Sequence, residues 1–268
     1  MTLTPSTRTA ADSHPAVVVT GASSGIGREL ARLAAKESVA LLLVARSSHA
    51  LAALAEELRL ICPNVAWLAI DLSRKDAGDL IAEGLRERSW HCDVLVYAAG
   101  LGYVGPAWET DRGDQLRVID VNARAFTDLA LHFLPGMIAG RGRGLLVVGS
   151  IAGFVPGPNM AVYYATKAYI HSLAAALGAE TRGTGVTVTC VSPGFVDTPF
   201  LADSGLLPTR LRKLLPRITA AEAALVGWHA FQAGKDLVVP GLANRIIVSL
   251  VRMIPASLAA RMIQRLQR

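Results

Sequence analysis

Residues 16–27 read Ala16-Val17-Val18-Val19-Thr20-Gly21-Ala22-Ser23-Ser24-Gly25-Ile26-Gly27. A β-branched run ends in a glycine-rich turn, and the pattern that follows predicts a helix from Gly25 to Lys36. The run is apolar without alternation, as in a strand buried on both faces. Glycines at such a turn let the backbone approach a pyrophosphate closely. The exposed N–H groups and the positive helix end then hold the anion. Gly21, Ser23, Ser24, Gly25, Ile26 and Gly27 are the candidate phosphate cradle. An ordinary βα turn is the plainer reading, but the place after the first strand and at a helix start favours the cradle. Gly21–Gly25 also fit the G-x-S-x-G elbow of serine hydrolases, with Ser23 as nucleophile. That elbow normally follows several strands, whereas only one can precede it here, and no HGGG-like oxyanion segment appears.

Outward from this turn the same alternation repeats. Residues 39–45, 64–70, 93–99, 144–150 and 186–192 are further strand candidates, separated by helical stretches such as 48–60. Strands alternating with helices build a parallel sheet wound on both sides. The expected fold is therefore α/β, a Rossmann-type doubly wound sheet. The 268 residues suit one such domain, taken as 15–268 after a flexible tail over 1–14. Apolar residues make up 52% of the chain, and no uncharged apolar run approaches the ~18 residues of a membrane span. The N-terminus lacks the apolar core of a signal peptide. Cys62, Cys92 and Cys190 are scattered, which implies neither a disulfide framework nor a metal site and points to the reducing cytoplasm. The six histidines show no metal or triad spacing. The net charge of +6 accompanies dispersed basic residues and no nucleic-acid recognition motif. An anionic cofactor or an anionic membrane surface explains the sign more simply.

The end of the second strand selects between dinucleotides. NAD enzymes often place an acid there to bind the ribose hydroxyls. Here Val44-Ala45-Arg46-Ser47 puts Ala45 in that place. Arg46 can bond a 2′-phosphate and stack on adenine, and Ser47 can add a hydroxyl, so NADP(H) is favoured. The alternative for Arg46 is a solvated surface arginine. Asp71-Leu72, after the third strand, can meet the adenine amino group.

The second half carries Tyr163 and Lys167, four apart on one helix face. An unperturbed tyrosine has a pKa of ~10, and a nearby ammonium favours its phenolate. The i+4 partner of neighbouring Tyr164 is Ala168, which offers no charge.

In these elements the chain resembles the short-chain dehydrogenase/reductase family, in its branch of about 250 residues. TGxxxGxG falls on Gly21, Gly25 and Gly27, and YxxxK on Tyr163 and Lys167. Ser150 stands 13 residues before the tyrosine, Asn122 follows Val121, and Pro193-Gly194 with Val196 and Thr198 matches PGxVxT. The motifs occur in order over about residues 15–200. The resemblance implies hydride exchange between NADP(H) and a carbonyl or secondary alcohol. It implies Tyr163 as general acid and base, and Lys167 as the group that lowers its pKa and bonds the nicotinamide ribose. Ser150 would bond the substrate oxygen, and Asn122 would hold a relay water behind Lys167. Val196 and Thr198 would meet the carboxamide. Ala99 and Gly100 keep the close approach on the adenosine side. Tyr97-Ala98 departs from the family's asparagines, leaving any sheet bond from those asparagines in doubt.

The resemblance also implies a substrate lid over 199–235, and its first part, 199–218, is rich in Leu and Pro, which points to an apolar lipid, acyl, steroid or polyketide-like compound. Arg210, Arg212, Lys213 and Arg217 would either recognise an anionic group or form a solvated face. Residues 240–268 hold five arginines and no acid. Ile246, Leu250 and Ile254, joined by Ile247 and Val251, and then Leu258, Met262 and Leu266, predict two basic amphipathic helices. Their apolar faces suit a membrane contact at the inner face, a second subunit or the domain itself. A homodimer or homotetramer is expected from the family. A cofactor-binding regulator without turnover is the remaining rival, and the intact Ser150, Tyr163 and Lys167 argue against it.

Overall fold

The structure, a computed structural model, describes residues 13–200 and 217–266. Its first half runs β1 (His14–Thr20), α1 (Gly25–Ala35), β2 (Ala40–Ala45), α2 (Ser48–Arg59), β3 (Asn64–Ala69), α3 (Ala77–Arg86) and β4 (Trp90–Tyr97). Then come α4 (Arg112–Ile119), a π-helical turn (Asp120–Arg124), α5 (Ala125–Gly136), β5 (Gly144–Val148), α6 (Ala161–Glu180) and β6 (Thr187–Val191). Last are β7 (Phe195–Val196), β8 (Arg217–Ile218), α7 (Ala220–Gln232), β9 (Leu237–Val238), α8 (Leu242–Val251) and α9 (Ala256–Leu266).

Seven parallel strands form one sheet in the order β3-β2-β1-β4-β5-β6-β9. The order reverses between β1 and β4, so a crevice opens where their carboxyl ends diverge. All six strands expected from the sequence are present. The seventh, β9, pairs only Leu237 and Val238 with Cys190 and Val191. Two residues carry no periodicity, and the short β7–β8 pair was illegible for the same reason.

The unbroken apolar runs follow from burial on both sheet faces. Leu42 and Leu95 join Phe126, Leu129 and Ile170 on one side. Leu41, Leu43, Val94 and Val96 join Leu30, Leu54 and Trp228 on the other. Successive side chains of one strand thus enter opposite cores.

Two boundaries move. The tail expected over 1–14 loses its last two residues, because Ser13 Oγ lies 2.9 Å from His91 Nδ1 and His14 starts β1, its N–H bonding the Ser89 carbonyl at 2.8 Å. The lid expected over 199–235 does not extend through α7. This helix starts at a capping box of Thr219 and Glu222 and buries Ala224, Trp228 and Phe231 in the core. Trp228 there donates to Glu37, 3.2 Å away. Arg210, Arg212 and Lys213 lie outside the described residues, while Arg217 in β8 sits 3.8 Å from Asp197.

Candidate active site

The glycine turn is closed by its own backbone. Gly21 and Gly25 have φ of +67° and +53°, a region that disfavours residues with a Cβ. A Cβ on Gly21 would stand 2.7 Å from the Ala99 nitrogen, and one on Gly27 2.3 Å from the Gly21 carbonyl oxygen. Only glycine allows α1 to begin against β1 and the loop after β4. Ser24 makes no side-chain cap, and no acid occupies the first turn. Among the described residues the first-turn N–H groups have no acceptor, and a phosphate fits them. Ser23 is not in a positive-φ conformation, and no histidine lines the cavity it faces. The hydrolase reading fails for want of both the strained elbow and the base.

The Ala22 N–H bonds the Val44 carbonyl at 3.3 Å and ties this turn to the end of β2. Ala45 is buried there, and Arg46 and Ser47 are exposed on the cavity wall. No acid among the described residues pairs with Arg46. Ser47 caps α2, its Oγ accepting from Ala50 N at 3.3 Å. Its O–H remains to donate. Asp71 is more committed than expected. Oδ1 accepts from the N and Oγ of Ser73, and Oδ2 from Arg117. Burial pushes its carboxyl up, but these bonds outweigh burial and hold it below the usual carboxylate value. An adenine amino group would have to share that carboxylate. Leu72 is buried beside it, its carbonyl held by Arg124 at 3.0 Å.

Ser150 follows β5 and caps a short 3₁₀ turn (Ile151–Phe154), its Oγ accepting from Ala152 N at 3.1 Å. It shares the cavity wall with Tyr163 of α6. Burial drives the Tyr163 pKa up to about 12, and the Ser150 side chain only partly offsets this. Lys167, one turn on, donates to the Val148 carbonyl at 2.9 Å and stands 5.8 Å from the centre of the Tyr163 ring. The expected depression of the phenol by Lys167 is therefore not seen within the protein itself. Burial dominates, and it also lowers the lysine pKa to about 8.

Asn122 lies in the π turn rather than in a regular helix, a departure that often marks functional positions. Its Nδ2 donates to the Leu101 carbonyl at 2.9 Å and to Thr166 Oγ1 at 3.0 Å, and Oδ1 accepts from Leu101 N at 2.8 Å. One lone pair of Oδ1 is left for a water. A Cβ on Gly100 would lie 3.6 Å from that Oδ1 and 3.7 Å from Lys167 Nζ. The departure at Tyr97 has a structural answer. Its buried hydroxyl donates to the Val121 carbonyl, next to Asn122. The ring packs on Phe126 at 5.3 Å. Sequence reasoning missed this link because a tyrosine at a strand end reads as core.

One cavity of about 930 Å³ joins these parts. Ala99, Pro193, Gly194, Val196 and Thr198 line it together with the glycine turn, Arg46, Ser150, Tyr163 and Lys167. Thr198 Oγ1 donates to Val196 O at 3.4 Å. Gly194 lies against fully buried Asn244 of α8, where a Cβ would meet Oδ1 at 2.7 Å. Tyr103, Met160 and Phe200 also wall the cavity, as do Ile247 and Val251 of α8, Ile254 in the turn after it, and Ile263 of α9. The C-terminal helices thus turn one face into the cavity. Of the choices their pattern left open, the domain itself takes that face.

A family model described as short chain dehydrogenase matches residues 15–206. An uncharacterized oxidoreductase of Staphylococcus saprophyticus is 34% identical over 209 residues, covering 78% of this chain and 88% of its own. A short-chain dehydrogenase from Sphingobium yanoikuyae, solved in complex with NADPH, shares 30% identity. Its TM-score is 0.77, over 89% of this chain and 94% of that one. A Burkholderia phymatum short-chain dehydrogenase/reductase solved with NAD has the same fold, with 24% identity and a TM-score of 0.78 over 90% and 92% of the two chains. The glycine turn, the Ser150–Tyr163–Lys167 cluster and these matches agree: the chain belongs to the short-chain dehydrogenase family of NAD(P)-binding oxidoreductases.

Proposed function

We propose that the protein interconverts a carbonyl and a secondary alcohol on an apolar molecule, with NADP(H) as its dinucleotide. The observation that carries this reading is that Ser150, Tyr163 and Lys167 line the same cavity as the glycine turn and Arg46. When bound, the nicotinamide gives hydride to the carbonyl carbon or takes it from the alcohol. Tyr163, neutral at pH 7 because burial raises its pKa, gives its proton to the carbonyl oxygen in reduction. Ser150 donates to the same oxygen as negative charge grows there. Lys167 is charged below about pH 8 and is placed to bond the ribose and to return a proton toward Tyr163. Asn122 supports that return by holding the Leu101 loop and Thr166, and by offering its free lone pair to a water.

Arg46 and the Ser47 hydroxyl, with no acid at Ala45, support the phosphorylated dinucleotide. The aliphatic side chains of α8 and α9 at the reacting end support an apolar substrate. Three cysteines that are buried and unpaired suit the cytoplasm. No helix among the described residues is long and apolar enough to cross a membrane. Leu116, Ile119, Leu131, Ile138 and Tyr169 are exposed on α4–α6 and the turn after α5. They suit pairing with further copies of the chain, which light scattering after gel filtration checks.

The test of function is a panel of ketones with NADPH, followed at 340 nm beside the dissociation constants of NADPH and NADH. Turnover of bulky apolar ketones and tighter NADPH binding are expected. Tighter NADH binding would overturn the cofactor assignment. NADPH binding without turnover of any carbonyl would favour a regulator.

A further inference from the structure

Helix α8 is apolar on two sides. Ile247 and Val251 line the cavity. Leu242, Ile246, Leu250 and Met253 recur at intervals of four, four and three along the opposite side and its end. They are exposed by 72%, 52%, 53% and 75%. Leu258 extends this surface onto α9 and is 49% exposed. Arg261 and Arg265 are exposed on the same short helix, and no acidic residue follows Asp236 anywhere in the chain.

A surface helix normally keeps one apolar stripe, for its own core. Among the described residues the second stripe has no partner. We propose that it docks on an anionic membrane surface, with the leucine–isoleucine–methionine row in the headgroup–acyl boundary and the arginines on lipid phosphates. Charge decides between occupants. A second copy set face to face would bring the same acid-free arginines together, which like-charge repulsion opposes. A bilayer carrying anionic lipid complements them. With no described helix able to cross, the contact is peripheral. The docked row forms the back of the helix whose front walls the cavity, so a lipid-dissolved substrate would enter beside the membrane. That last step rests on the apolar-substrate reading, whereas the docking does not.

The test is sedimentation of the full chain with vesicles of phosphatidylcholine alone or with about 30% phosphatidylglycerol, near physiological ionic strength. Pelleting with the anionic vesicles only is expected. L250S/M253S should lower the partition coefficient at least about tenfold, and R261Q/R265Q about thirtyfold. Both variants should reduce a water-soluble ketone at the wild-type rate, since none of these four residues lines the cavity. Absence of anion-dependent pelleting, or pelleting unchanged in both variants, would overturn the proposal. So would a change confined to oligomer mass, which would assign the face to a second copy. Vesicle binding and ketone reduction are separate readouts, so a protein that pellets but turns nothing over refutes the proposed function and leaves the docking standing.

Discussion

At Tyr163, burial and hydrogen bonding act in opposite directions, and burial wins, placing the pKa at about 12. A neutral phenol is the right form for an acid in reduction. As a base in oxidation it must first ionise, so alcohol oxidation should rise steadily with pH. A rate that falls between pH 7 and 9 would contradict this. Arg46→Ala should weaken NADPH binding about 10- to 100-fold, the range for losing charge-assisted hydrogen bonds. NADH binding should stay within about threefold, and titration calorimetry separates the two. Tyr97→Phe keeps the ring against Phe126 but removes the buried hydrogen bond to the Val121 carbonyl, at about 1 kcal/mol. Thermal unfolding should show that loss, and kcat should fall with it, because the π turn that carries Asn122 loses its tie. His171, four residues beyond Lys167, holds Ser192 Oγ at 2.8 Å, and burial lowers its pKa to about 4. Its folded pKa lies below the unfolded value of ~6.5, so the unfolded state binds the extra proton. Stability should therefore fall as pH drops from about 6.5 towards 4, by on the order of 2–3 kcal/mol from this group. His171→Gln should flatten that part of the stability curve in urea titrations.

Among the elements, the βα turn is the most demanding. Gly27→Ala forces a methyl group onto the Gly21 carbonyl oxygen, 2.3 Å away, and should lower both the melting temperature and dinucleotide affinity. Gly136, at the end of α5, has helical φ and nothing within 4 Å of an added Cβ. Gly136→Ala should stabilise the protein by about 0.5–1 kcal/mol. The six principal strands and their helices were legible because burial on both faces leaves unbroken runs of Val and Leu. The π turn at Asp120–Arg124 was not, since one extra residue in a helical turn barely alters the apolar period. The α7 segment misled for a different reason. Its apolar residues look the same whether they cover a substrate or fill a core, and only the packing of Trp228 and Phe231 distinguishes the two.

For the whole molecule, the site is assembled at the sheet's switch point from segments between Gly21 and Ile263. The motif residues of that site could be read one by one, because glycine turns and charged pairs have fixed spacings. The substrate end could not. Ile247 and Val251 belong to a helix apolar on two sides, and periodicity does not say which side faces inward. Val251→Ser, on the cavity wall, should leave NADPH affinity near wild type but raise KM for bulky apolar ketones far more than for small polar ones. The most direct measurement compares wild type with Tyr163→Phe for NADPH binding and for NADPH oxidation with an apolar ketone. NADPH affinity should stay within about twofold while turnover falls at least about 10²-fold, as for loss of a general acid. Turnover that survives in the variant, or a wild-type protein that does not bind NADPH, would contradict the assignment of Tyr163 and of the reaction.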